Sequence, residues 1–89
     1  MVKKFTKEQI KILLNFKSKN WSLFDYSNSN IVWQHKKKRE EVSISYYSSS
    51  WYIFLPSPYG TKFKKEFGEY KVESLNEAIK VVLSYMRTN

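Results

Sequence analysis

Val42-Ser43-Ile44-Ser45-Tyr46-Tyr47-Ser48-Ser49-Ser50-Trp51-Tyr52-Ile53-Phe54-Leu55 is the stretch whose pattern decides the fold. Val42, Ile44 and Tyr46 alternate with Ser43, Ser45 and Tyr47, the two-residue period of a strand with one buried face. Trp51, Ile53 and Leu55 alternate in the same way with Tyr52 and Phe54. The serines Ser48, Ser49 and Ser50 leave room only for a tight connection, so the two strands form an antiparallel hairpin. Pro56 and Pro58 close the second strand, because neither can donate to a ladder. Upstream, Ile31, Val32 and Trp33 open a third strand, Ile31 to Lys36, and the run Lys36 to Glu41 turns it into the Val42 strand.

Outside this meander the period changes to that of helices. Thr6 and Gln9 have the spacing of a capping box, and Phe5 and Ile10 that of a hydrophobic staple. Ile10, Leu13 and Leu14 continue one face, which predicts a helix from about Lys7 to Lys17. Ser74 and Glu77 repeat the capping-box spacing, and Leu75, Ala78, Ile79, Val82 and Met86 then line one face of a helix from about Leu75 to Arg87. Trp21 to Tyr26 fits neither period clearly and is open to being a short edge strand, and Ser27 to Asn30 is turn-like. The piece from Tyr59 to Glu73 holds Phe63, Phe67, Tyr70 and Val72 in neither period, with Gly68 breaking its middle. It is expected to be a loop with a short extended stretch at Tyr70 to Val72.

These elements predict one domain, residues 1–89, of the α+β class. The expected architecture is a two-layer sandwich in the order helix, three-stranded antiparallel meander, helix (αβββα), both helices on one sheet face. That order is similar to the one in double-stranded-RNA-binding domains. The basic cluster that family carries at the start of its second helix is replaced here by Ser74-Leu75-Asn76-Glu77, and the likeness stops at topology.

Composition bounds the function. The chain has 89 residues, 42% of them apolar and 18% aromatic, with no cysteine. Disulfides, thiolate chemistry and sulfur-ligated zinc are thereby excluded. No stretch approaches the length of a bilayer-spanning segment, and Met1 to Thr6 with its sequel is charged and amphipathic, unlike a signal peptide. A cytoplasmic protein with no membrane partner is the expectation. His35, the only histidine, has only Glu40 and Glu41 nearby, which matches no metal motif. Asp25 is the only aspartate, and two glycines cannot build a phosphate loop. No catalytic residues, metal or cofactor are therefore expected, and no enzyme activity.

Charge points the other way, towards binding. Sixteen Lys and Arg against eight Asp and Glu give a net charge of +8, a field that attracts polyanions. Residues 1–39 hold ten of the sixteen cations against Glu8 and Asp25 alone, whereas residues 40–89 are neutral. Lys36, Lys37, Lys38 and Arg39 form a projecting basic turn suited to phosphate contacts. Lys4, Lys7 and Lys11 add a stripe on the first helix, continued less regularly by Lys17 and Lys19. Tyr47, Tyr52 and Phe54 lie on the sheet face away from the helices. There they can stack bases, anchor a partner protein, or be covered by the 59–73 segment. Nucleic acid is the expected partner. The alternative is an acidic protein or nucleoprotein complex, bound by an inhibitor or adaptor of phage or mobile-element origin, similar in kind to CRISPR inhibitors. The short length and Lys/Asn/Ser/Tyr-rich composition suit such a source.

Overall fold

The computed structural model describes residues 4–57 and 62–89. Helix α1 (Lys7–Asn15) leads into strands β1 (Trp21–Tyr26), β2 (Asn30–His35), β3 (Glu41–Tyr47) and β4 (Ser50–Phe54). A short hairpin of β5 (Lys64–Glu66) and β6 (Glu69–Val72) follows, then helix α2 (Leu75–Thr88). All strands belong to one antiparallel sheet in the order β1-β2-β3-β4-β6-β5. The α+β class stands. The αβββα order does not, because among the described residues six strands lie between the helices and the expected meander β2-β3-β4 is the centre of a wider sheet.

Each added strand has a physical reason for its weak signal. In β1 the pairing with β2 slips between Leu23 and Asp25, so a bulge at Phe24 breaks the two-residue period. Only Trp21 of that strand is buried. β5 is Lys64-Lys65-Glu66, with no apolar residue to alternate. The turn after it uses Phe67 at φ 53° and Gly68 at φ 82°. Gly68 therefore does not break an element; it supplies the second left-handed position of a two-residue hairpin turn. A Cβ there would meet nothing within 4 Å, so the demand is conformational rather than steric. Pro58 and residues 59–61 of the expected loop lie outside the described residues. From Lys64 to Val72 the segment extends the sheet in its own plane through β6, which pairs with β4.

The first helix begins as its sequence dictates. Thr6 N–H donates to Gln9 Oε1 at 2.8 Å, and Gln9 N–H donates to Thr6 Oγ1 at 3.1 Å, a complete capping box. α1 ends two residues before the predicted Lys17, where Phe16 takes an extended backbone and packs on the core. In α2, Ser74 Oγ accepts from Glu77 N–H at 3.3 Å. The Glu77 carboxylate pairs with Lys62 at 2.9 Å rather than reaching back to the cap.

One core cluster joins both helices to one face of the sheet. Ile31, Trp33, Val42, Ile44, Trp51, Ile53 and Val72 face Leu13 of α1 and Ala78, Ile79, Val82, Leu83, Tyr85 and Met86 of α2. Burial of this apolar surface is the main stabilising term. Gln9 Nε2 donates to Asn76 Oδ1 at 3.0 Å and ties the first turns of the two helices together. Among the described residues no helix is long and apolar enough to cross a membrane.

Candidate functional site

Two stretches of chain converge at one end of the sheet and carry its cations there. Lys36 N–H donates to Asn20 O at 2.7 Å, extending the Trp21–His35 pairing past the strands. The linker bearing Lys17 and Lys19 thus runs beside the turn bearing Lys36, Lys37, Lys38 and Arg39. The last turn of α2 joins them: Ser18 Oγ donates to Met86 O at 3.3 Å, and the Arg87 guanidinium lies 5.6 Å from the Phe16 ring centre. Lys17, Lys19 and Lys36 to Arg39 are all exposed. The ion pairs among the described residues, Lys62–Glu77 and Lys64–Glu66, lie elsewhere. Six cations therefore share one end without a carboxylate partner.

His35 shapes that turn from beneath. Its Nδ1 accepts from the backbone N–H of Lys37 at 3.0 Å and of Lys38 at 3.1 Å. Two donors at Nδ1 assign the proton to Nε2, which then donates to Asn89 O at 3.2 Å. The imidazole is buried and meets the Trp21 ring edge-on, with centroids 4.8 Å apart. A strand-end histidine thus acts as a backbone cap for the basic turn. With the turn's N–H groups tied inward, the four cationic side chains project outward.

The remaining candidate cations are spread along α1. Phe5 N–H donates to Asn28 O at 2.9 Å, which puts neighbouring Lys4 by the β1–β2 turn. That turn lies at the opposite end of β2 from Lys36, about 20 Å away for a six-residue strand. Lys7 opens the helix and Lys11 follows one turn on, all of them exposed. The stripe runs along α1 towards Lys17 and the basic end rather than forming one patch with the turn.

On the outer sheet face the three candidate aromatics have unequal access. Tyr47 and Tyr52 stack, with centroids 4.3 Å apart and planes 15° from parallel. Tyr52 is only 2% exposed, and the Tyr47 hydroxyl donates to Glu69 Oε1. Burial and the Glu69 carboxylate push the Tyr47 phenol up to about 12. Phe54 is different. Its half-buried ring lines an open cleft of about 610 Å³ next to the basic turn, with Lys38, Arg39, Glu40, Glu41, Gln34 and Pro56. Gln34 and Glu41 are a cross-strand pair of β2 and β3, and Gln34 Nε2 donates to Glu41 Oε2 at 3.1 Å. Glu40 and Glu41 both line the cleft, because Glu40 precedes β3 and escapes the strand's alternation.

Lys17, Lys19 and Gln34 were the residues that sequence reasoning underweighted. The first two depend on long-range pairing of Asn20 with Lys36. Gln34 was within reach, since counting outward from the 36–39 turn sets His35 opposite Glu40 and Gln34 opposite Glu41. Among the described residues no group of three or more His, Asp and Glu side chains is placed to hold a metal ion. Comparison with protein-family models, curated proteins and solved structures finds no match to this chain.

Proposed function

We propose that the protein is a nucleic-acid-binding module whose basic end sits on phosphates. The observation that carries this reading is the gathering of Lys17, Lys19, Lys36, Lys37, Lys38 and Arg39, all exposed and free of ion pairs among the described residues. Cations not held in ion pairs are poised to displace counterions condensed on a polyanion. The His35 cap supports the reading as well, since a turn already ordered loses less entropy on binding. The α1 lysines Lys4, Lys7 and Lys11 extend the field along one side and favour long-range attraction over close contact.

Changing Lys36, Lys37, Lys38 and Arg39 to Ser tests the proposal. Stability should hold, because exposed turn charges shift it by less than about 0.5 kcal/mol each. The slope of log K against log salt on duplex DNA should flatten by about 0.9 for every phosphate contact removed. A parent protein with no salt-dependent binding to DNA or RNA sinks the reading.

A second reading, docking on a larger protein as an inhibitor or adaptor, is favoured by the free edge β1. Its Leu23, Phe24 and Tyr26 are exposed, Phe24 by 60%. An edge strand with apolar side chains and no lysine is open to pairing with another chain. A protein complex that survives high salt and is lost on Phe24→Lys would select that reading.

A further inference from the structure

The cleft beside the basic turn has a composition that phosphate contacts alone do not explain. Lys38, Arg39 and Glu40 line it together with the apolar Phe54 and Pro56, and Gln34 donates to the Glu41 carboxylate. A site selected only for phosphate would gain nothing from a carboxylate beside its cations. A carboxylate accepts hydrogen bonds and donates none, so it suits a ligand that presents donors next to an aromatic ring and an anion. An unpaired nucleotide has all three features: a flat base, an edge with donors, and a phosphate. At about 610 Å³ the cleft has the size range of small-ligand sites and accommodates one such unit.

The acceptor-only carboxylate also selects among the bases. Guanine alone offers two adjacent donors on its pairing edge, N1–H and the 2-amino group. Cytosine and adenine offer one amino donor beside an acceptor, and uracil or thymine one donor between two acceptors. Glu41 Oε2 receives one bond from Gln34, which leaves lone pairs on both oxygens for a donor pair. We propose that this cleft is a subsite for one unpaired guanine of a nucleic-acid strand. Phe54 stacks on the base, Glu41 held by Gln34 accepts from N1–H and the 2-amino group, and Lys38 and Arg39 hold the adjoining phosphate. Stacking on an aromatic side chain and reading of the pairing edge is the usual way that single strands are recognised. The inference rests on the nucleic-acid reading above and adds to it a strand state and a base.

The test uses the full chain and three labelled single-stranded oligonucleotides of thymine sequence. One carries a central guanine, one carries inosine there, which lacks the 2-amino group, and one has neither. Binding is followed by fluorescence anisotropy. The guanine strand should bind about tenfold more tightly than the inosine strand, the effect of one well-placed hydrogen bond to a charged acceptor. Glu41→Gln should abolish that preference, and thermal melting should show that the variant remains folded. Phe54→Leu, which keeps an apolar side chain, should weaken guanine- and inosine-strand binding alike by about tenfold, as expected for a lost stacking platform. Equal affinity for all three strands, with salt-dependent binding intact, overturns the subsite and leaves the nucleic-acid reading standing. Absence of binding to every strand while duplex DNA or RNA still binds in a salt-dependent way overturns the subsite alone, and absence of salt-dependent binding to these strands, duplex DNA and RNA together overturns both. Guanosine monophosphate competing as well as the guanine strand would overturn the assignment to a strand.

Discussion

At the scale of single residues, Tyr47 and His35 hold hydrogen bonds that can be measured. Burial and Glu69 raise the Tyr47 phenol above its ordinary value, to about 12. The neutral form is thus favoured in the folded state. Its contribution is fully present below pH 10 and is lost as pH rises from 10 to 12, where the unfolded chain ionises first. Glu69→Gln should bring the titration of Tyr47 back towards 10. The difference in ultraviolet absorbance between that variant and its Tyr47→Phe derivative checks it, and an unchanged midpoint would show that Glu69 has no part in the shift. His35→Phe keeps a ring against Trp21 but removes the acceptor for Lys37 and Lys38 N–H. The variant should stay folded at a cost of about 1 to 3 kcal/mol. Hydrogen exchange at those two amides should accelerate while exchange in β3 does not. Equal protection in parent and variant would mean that the histidine does not hold the turn.

At the scale of elements, the hairpin turns separate what was legible in the sequence from what was not. β3 and β4 join through Ser48 and Ser49, at φ 49° and 63°, with Tyr47 paired to Ser50. Both central residues are left-handed, a conformation that disfavours side chains other than Asn and Gly. Replacing Ser48-Ser49 by Asn-Gly should therefore raise stability by about 1 kcal/mol, or about 4 to 8 °C in Tm for a domain of this size. A Tm unchanged or lower would show that the serines relieve their strain elsewhere. The strands flanking this turn were readable because alternate residues are apolar over several positions. β1 was blurred by its bulge at Phe24, and β5 by having charge on both faces. The candidate site divides in the same way. The run Lys36 to Arg39 is visible as adjacent letters, whereas the approach of Lys17 and Lys19 follows from a backbone bond between Asn20 and Lys36. The inaccessibility of Tyr52 was one of three open outcomes for the outer-face aromatics, because a period of two gives the face of a side chain, not what lies over it.

At the scale of the whole molecule, connectivity decides what forms first. Strands β1 to β4 are sequential neighbours in the sheet, so each pairing closes a short loop. The meeting of α1 with α2 is different: the Gln9–Asn76 bond spans 67 residues of chain. Local pairings accumulate early in folding, whereas distant ones wait until the intervening chain is ordered. Ile44→Val and Ile53→Val, in the centre of the meander, should then slow refolding. Leu13→Ala in α1 should instead speed unfolding and leave the refolding rate nearly unchanged, a φ-value near zero. Stopped-flow chevrons measure both, and a refolding rate that falls with Leu13→Ala would place α1 in the nucleus. A helix that docks last is also the first to let go. Among the described residues one side-chain hydrogen bond ties the two helix starts and Leu13 alone of α1 is buried, so α1, with Lys7 and Lys11 on it, should detach while the sheet persists.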